Sequence, residues 1–163
     1  MLTTAEIQDE ATKLRKLIET CDKKNTSLVI DCFPVMSCKL SSMLLSYHLL
    51  TLWPELSIKG VSAATGKNSQ ITHYWLEIDD IVIDITGDQY NIIADKDLSK
   101  NIINHRPCPS VHVAYKKHSY LYKIFRVKEE EILISGFPNI GDDFIEEMEQ
   151  GHAQLINNKV IGK

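Results

Sequence analysis

The chain has 163 residues, of which 44% are hydrophobic and 25% charged, so its length and composition predict a single globular domain over residues 1–163. A net charge of −4, without a basic stripe carrying interleaved aromatic residues, argues against nucleic acid or a membrane surface as a partner. The charged amino-terminal segment does not resemble a cleaved signal peptide and no apolar run reaches 18 residues, so we expect a cytoplasmic protein, with export by another route left open.

The first predicted element is a helix over residues 4–22. Thr3 and Glu6 have the spacing of a capping box, in which each side chain accepts from the backbone N–H of the other residue. Apolar residues then recur at helical period from Ile7 to Cys21. This pattern predicts one buried face, with Cys21 packed in it.

Two further elements follow this helix. The apolar run SLVIDCF (27–33) predicts a short buried strand, which Pro34 ends because proline has no backbone N–H for a sheet. The next element is a helix that begins at residue 37 or 38 and continues to about residue 53, where Pro54 ends it. Cys38 then lies in the first turn of this helix.

The clearest β pattern is a hairpin. Residues 71–78 (ITHYWLEI) and 81–86 (IVIDIT) are rich in β-branched and aromatic side chains, and Asp79-Asp80 fits a two-residue loop between them. Residues 57–65 predict a preceding strand, which the polar turn at 66–70 separates from the hairpin. These segments predict an antiparallel sheet.

Patterns beyond residue 90 predict smaller elements. We expect a short helix between residues 91 and 110, strands at 111–115 and 120–127, and a carboxyl-terminal helix over 142–156. The glutamates at 129–131 predict a solvated segment. Together the elements predict an α+β fold in which the amino-terminal helices pack on an antiparallel sheet.

Cys38 is the candidate nucleophile. A thiol attacks as the thiolate, so a catalytic cysteine needs surroundings that favour the charged form. The first turn of a helix supplies unpaired N–H groups and partial positive charge, and the same N–H groups can stabilise an oxyanion on a substrate carbonyl. A neighbouring histidine would complete the activation. Cys32, at the end of the predicted strand, is the competing thiol.

The register of the hairpin brings His73 and Asp84 together. If Asp79-Asp80 form the loop, Trp75 lies opposite Asp84. His73 then lies opposite Thr86. Side chains alternate between the faces of a strand, so these four share one face, and Asp84 is the diagonal neighbour of His73. A hydrogen bond between the two would orient the imidazole, whereas a loop one residue longer would turn Asp84 to the other face.

The motifs around these residues resemble those of the transglutaminase-like superfamily of cysteine enzymes, which has a papain-like core. The resemblance covers about residues 28–90 and is carried by FPVMSCKLSSMLL, by H-x-W-x-E in HYWLEI and by V/I-D-x-T in VIDITGDQY. It implies Cys38 as nucleophile, His73 as general base and Asp84 as the acid that orients the base. A narrower resemblance, through the ending D-x-T-x-D-Q-[FY], is to small bacterial single-domain proteins of undefined role.

The resemblance and the order of the three residues predict a cysteine hydrolase or acyltransferase that acts on an amide bond through a thioester. A peptidase and a protein-glutamine deamidase are the expected types, with a peptide or protein substrate and no cofactor. Ser37 and Lys39 stand where many transglutaminases have glycine and tryptophan, which favours hydrolysis over crosslinking. The alternatives are acyl transfer like that of arylamine N-acetyltransferases and a catalytically idle binding module on the same fold.

Other residues near the three have two interpretations each. Trp75 and Gln89 are predicted to bind substrate, and the alternatives are packing beneath the site for Trp75 and a structural amide for Gln89. Asp88 is an alternative to Asp84 as the acid, although it follows Gly87 in a predicted loop. The histidines and cysteines lack the spacing of metal ligands, so no metal site is predicted.

Overall fold

The computed structural model describes residues 2–161, with side chains described to residue 157. The helices are α1 (Thr4–Thr20), α2 (Cys38–Leu52), α3 (Lys100–His105), α4 (Leu121–Ile124) and α5 (Asp142–Ile161). The strands are β1 (Ile58–Thr65), β2 (Ile71–Ile78), β3 (Ile81–Asp84), β4 (His112–Tyr115) and β5 (Arg126–Leu133). They form one antiparallel sheet in the order β4-β3-β2-β1-β5. The predicted α+β class and antiparallel sheet are confirmed.

Two apolar clusters lie on opposite faces of the sheet. On one face α1, α2 and α5 pack against alternate residues of the β2–β3 hairpin, among them Leu76 and Ile83. On the other face Trp75 and Val82 pack against α4 and the residue that follows it. This division follows from the period of two along a strand. The amino-terminal helices therefore pack on the sheet as predicted.

Helix α1 begins where the capping box predicts. The Glu6 N–H donates to Thr3 Oγ1 at 3.1 Å, and the Thr3 N–H donates to Glu6 Oε1 at 3.1 Å. The helix ends at Thr20, slightly earlier than predicted, and Cys21 is buried in the core as expected. Within the described residues, neither this helix nor any other is both long and apolar enough to cross a membrane.

The predicted strand over residues 27–33 is wrong. This segment forms consecutive turns, one of which is closed by the Val29 N–H donating to the Thr26 carbonyl at 3.3 Å. Leu28 has a φ of 65°, in the left-handed region that extended strands do not use. The five strands pair only with one another, so among the described residues this apolar run has no partner strand. Local turns provide hydrogen bonds for part of its backbone N–H and C=O groups instead.

The predicted strand over residues 120–127 is wrong in its first part. That part forms α4, in which the Phe125 N–H donates to the Leu121 carbonyl at 2.8 Å. Leu121, Ile124 and Phe125 recur at helical spacing and are buried together against the sheet. Strand β5 begins only at Arg126 and continues through the glutamate run. Most residues of this edge strand are exposed.

The remaining differences concern the ends of elements. Helix α5 begins at the predicted residue 142 and extends beyond residue 156. The short helix expected between residues 91 and 110 is α3, and the strand expected at 111–115 is β4. Strand β3 ends at Asp84, earlier than predicted, and this early end shapes the candidate site.

Candidate active site

Cys38 is the first residue of α2, as predicted. The N-cap residue Ser37 makes no capping bond with its side chain, and its hydroxyl donates to the Val35 carbonyl at 3.2 Å instead. The side chain of Ser37 therefore does not cap the first N–H groups of α2. Such groups can serve a bound anion or a developing negative charge. Cys38 is partly exposed and, with His73, lines a cavity of about 300 Å³.

The β2–β3 hairpin places His73 and Asp84 in contact. Its two-residue loop is Asp79-Asp80, and Ile78 pairs with Ile81, which is the predicted register. His73 Nε2 lies 2.9 Å from Asp84 Oδ2, and both side chains are fully buried. The hydrogen bond that the register predicts is therefore present.

The loop after β3 holds the second oxygen of Asp84. Asp84 Oδ1 accepts from the Thr86 backbone N–H at 3.1 Å and from the Thr86 hydroxyl at 3.4 Å. The sequence predicted that Thr86 would continue the strand, but the strand ends at Asp84 and Thr86 folds back on the carboxylate. Both oxygens of the buried acid are thereby hydrogen-bonded, which fixes its orientation toward His73.

Asp84 and His73 hold each other in their charged forms. Burial alone would lower the pKa of His73, but the Asp84 carboxylate and, to a smaller extent, the neighbouring Cys38 outweigh this effect and raise the pKa to about 10. Burial alone would raise the pKa of Asp84, but His73 and the Thr86 N–H lower this pKa below its ordinary value. At neutral pH the pair is therefore an imidazolium beside a carboxylate.

Three aromatic rings surround the imidazole of His73. The ring centroids of Tyr90, Phe125 and Trp75 lie 5.3, 5.5 and 5.9 Å from that of His73. Trp75 is fully buried, outside the cavity that contains Cys38. This placement favours the packing interpretation of Trp75 over substrate contact.

A buried carboxylate anchors Trp75. The Trp75 indole Nε1–H donates to Glu77 Oε2 at 2.9 Å, and the Tyr122 hydroxyl donates to the same oxygen. Lys116 Nζ lies 3.2 Å from Glu77 Oε1. Burying the Glu77 carboxylate without such partners would cost several kcal/mol. In the H-x-W-x-E motif, the glutamate therefore supports the tryptophan that packs beside His73.

Gln89 contacts the other ring nitrogen of His73. Its Nε2 lies 3.4 Å from His73 Nδ1, and Gln89 is buried in the 3₁₀ turn Gly87–Asn91. Because Asp84 engages Nε2 of the ring, Nδ1 is the nitrogen left for proton exchange with a thiol or a substrate. Gln89 thus lies beside Nδ1 of His73, where a structural amide and a donor to substrate are both compatible with its geometry.

Asp88 is engaged by a residue that the sequence analysis missed. Arg15, on α1, donates to both oxygens of Asp88 at 2.7 Å each and to the carbonyl of Ile85 at 2.6 Å. Arg15 is nearly fully buried, whereas arginine on a helix is ordinarily exposed. Its guanidinium fastens the loop that carries Thr86 and Gln89 to α1, so Asp88 has a structural partner and Asp84 is the acid beside His73.

The competing thiol lies elsewhere. Cys32 is exposed, and its thiol donates to the Val35 carbonyl at 3.2 Å, outside the cavity that contains Cys38. Cys21 and Cys108 are buried. In the part of the chain that the structure describes, no three His, Cys, Asp or Glu side chains are grouped to hold a metal ion.

No family model matches the chain, and no curated protein or solved structure is significantly similar to it. The transglutaminase-like resemblance therefore rests on the sequence motifs, and the function has to be inferred from the geometry of the site.

Proposed function

We propose that the protein is a cysteine hydrolase or acyltransferase that acts on an amide bond of a peptide or protein. The observation that carries the proposal is the buried His73–Asp84 pair beside the partly exposed Cys38 at the start of α2. A buried ion pair contributes little net stability, because desolvation offsets much of its attraction. Strongly perturbed groups next to a nucleophile in a cavity are typical of catalytic sites.

Cys38 is the nucleophile in this proposal, and His73 carries the proton. The Cys38 thiolate attacks the amide carbon, and the C–N bond then breaks as the Nδ1 proton of His73 passes to the departing nitrogen. This step leaves a thioester on Cys38 and a neutral imidazole. Water attacks the thioester, His73 takes a proton from that water, and the C–S bond breaks to release the acid.

Asp84 acts through His73 in both steps. Its hydrogen bond to Nε2 directs Nδ1 to the reacting atoms and stabilises the imidazolium that is present before attack and after hydrolysis. The N–H groups of the first turn of α2 are suited to stabilise the oxyanion, since a helix amino terminus favours negative charge. Gln89 is a second donor close to the same place.

The arrangement of elements also supports a transglutaminase-like core. The cysteine heads a helix that packs on an antiparallel sheet, the histidine lies on β2 and the aspartate on the adjacent β3. The motif resemblance implies the same order of elements. Hydrolysis is favoured over crosslinking because Ser37 and Lys39 replace the glycine and tryptophan common beside the cysteine of transglutaminases.

The test is the relative reactivity of the four thiols. The protein is treated with limiting iodoacetamide at pH 7, and alkylation of each cysteine is followed by mass spectrometry. Cys38 is expected to react at least about tenfold faster than Cys32, although Cys32 is the more exposed. The Asp84→Asn variant should slow alkylation of Cys38 and leave that of Cys32 unchanged. Equal rates for the two thiols in the native protein would overturn the proposal.

A second measurement separates an enzyme from an idle binding module. A peptide library carrying electrophilic carboxamides is incubated with the native protein and with Cys38→Ser. A covalent adduct on Cys38 of the native protein, followed by turnover of the matching amide peptide, is the expected result. Binding without adduct or turnover, at equal affinity for both proteins, would identify a binding module.

A further inference from the structure

A second cavity adjoins the one that contains Cys38. It has a volume of about 650 Å³, and the residues around it include Thr65, Asn68, Asn101, Lys123, Arg126 and Lys128. We call it the basic cavity. Ala64 and Lys128 line both cavities, so the two are neighbours along the ends of β1 and β5. A substrate that presents an amide to Cys38 has the basic cavity within reach.

The basic cavity carries only positive formal charge. Lys123, Arg126 and Lys128 are exposed, and no aspartate or glutamate lines the cavity. Among the described residues, none of these three cations is in an ion pair. The whole chain has a net charge of −4, so three unpaired cations around one cavity run against its overall balance.

A β-bulge gives Lys128 its position between the cavities. Ser62 pairs with Glu129, whereas the next residue of β1, Ala63, pairs with Val127. Lys128 is therefore the extra residue of β5, without a partner on β1. Bulges are frequent beside active sites, where they redirect a side chain. Here the bulge falls where Lys128 lines both the cavity that contains Cys38 and the basic cavity.

We propose that the basic cavity binds acidic side chains of an extended peptide whose amide lies at Cys38. This proposal rests on the proposed function, which supplies the peptide and the position of its amide. Strand β5 is an edge of the sheet and borders both cavities, so an extended segment along that edge passes from one to the other. An extended peptide advances roughly 3.3 Å per residue, so the acidic residues that reach the adjoining basic cavity are those that flank the amide. Glu129 lines the cavity that contains Cys38 and would repel an acidic side chain there. The preference for acidic residues therefore applies to the part of the peptide that flanks the amide.

The test measures binding rather than turnover. The Cys38→Ala protein is titrated into two fluorescein-labelled decapeptides with the same central glutamine. One peptide has glutamates at the flanking positions and the other has glutamines of nearly the same shape. Fluorescence anisotropy should show about tenfold tighter binding of the acidic peptide, because each exposed ion pair contributes only about two- to fivefold. The preference should shrink as salt is raised.

Charge reversal identifies the site of this preference. Lys128→Glu and Arg126→Glu, each in the Cys38→Ala background, should abolish the preference for the acidic peptide. Lys16→Glu makes the same charge change on α1, which packs on the other face of the sheet, and should keep it. The proposal would be overturned if the two peptides bound equally or if Lys128→Glu left the preference unchanged. Displacement of both peptides by coenzyme A, at a concentration lower than that of the acidic peptide, would also overturn it. None of these outcomes depends on catalysis. A failure of the proposed function would be seen in the alkylation rates, whereas a failure of the acidic-peptide proposal would be seen in the binding measurements.

Discussion

Asp84→Asn is the substitution with the best-defined consequence, because it removes one charge of the buried pair and keeps the shape of the side chain. Asp84 Oδ2 accepts from His73 and Oδ1 accepts from Thr86. An asparagine has one oxygen and one NH₂ group, which cannot accept a hydrogen bond. The variant therefore loses either the bond to His73 or the bond to Thr86.

The expected loss of stability is about 3 kcal/mol. Breaking a buried ion pair by removing one partner costs about 3–5 kcal/mol. The lower end applies because burial, no longer opposed by Asp84, brings the pKa of His73 below 6.5 and leaves a neutral ring rather than an unpaired charge. For a chain of 163 residues this loss corresponds to a fall in Tm of roughly 6–12 °C.

The difference in stability between the native protein and the variant should depend on pH. The raised pKa of His73 contributes stability that is complete below 6.5, the value of an unperturbed histidine, and is lost as pH rises to about 10. The lowered pKa of Asp84 contributes stability that is complete above 3.8 and is lost as pH falls through the folded-state value. The difference should therefore be greatest between pH 3.8 and 6.5.

Urea unfolding at pH 5.5, 7.5 and 9.5 measures this difference, and ¹⁵N chemical shifts of the His73 ring report its charge. The matched control is Asp79→Asn, in the loop of the same hairpin, where Asp79 is exposed with a φ of 51°. Asparagine tolerates that conformation, so the control should change stability by less than about 0.5 kcal/mol. An imidazolium that persists at pH 7.5 in Asp84→Asn would refute the reasoning, as would a difference that stays constant from pH 5.5 to 9.5.

Two further substitutions have expected outcomes. Arg15→Met should lower the free energy of unfolding by about 3 kcal/mol in urea titrations, because Asp88 loses a bidentate partner. The double variant Arg15→Met with Asp88→Asn should recover part of this loss. A loss below about 0.5 kcal/mol in Arg15→Met would contradict a stabilising role for the Arg15–Asp88 contact. The pKa of His152 is lowered to about 4, by burial and by His48. Between pH 6.5 and 4 the unfolded chain therefore binds a proton that the folded protein does not, and stability decreases as the pH is lowered through this range. His152→Gln should flatten that decline, by at most about 1.4 kcal/mol per pH unit, and an unchanged slope would show that another group titrates.

The part of the site that the sequence could predict is the part set by local geometry. His73 and Asp84 are separated by one tight hairpin, so the loop length and the alternation of strand side chains decide whether they meet. The extent of α2 was also predictable, because the apolar pattern indicates where the helix starts and Pro54 follows its end. In both cases the deciding residues are close in sequence.

Two incorrect predictions depended on partners that are distant in sequence. Residues 27–33 have the composition of a buried strand, but no strand of the sheet pairs with them and the chain turns instead. Residues Leu121–Ile124 carry aromatic and β-branched neighbours, yet their burial against Trp75 and Val82 follows a helical period. Tertiary packing overrides the weak intrinsic preference for strand in such short segments.

Arg15 shows most clearly why the support of the site was not predictable. Its only signal is its position one helical turn after Ala11, at the border of the apolar face of α1. From there it binds the Ile85 carbonyl and the Asp88 side chain, which flank Thr86 in the loop after β3. Thr86 in turn holds the acid of the buried pair, so α1 fixes the geometry of the candidate site although Cys38, His73 and Asp84 all lie on other elements. Lysine would satisfy the helix equally well but not these three bonds, and this difference explains why an arginine is buried at that position.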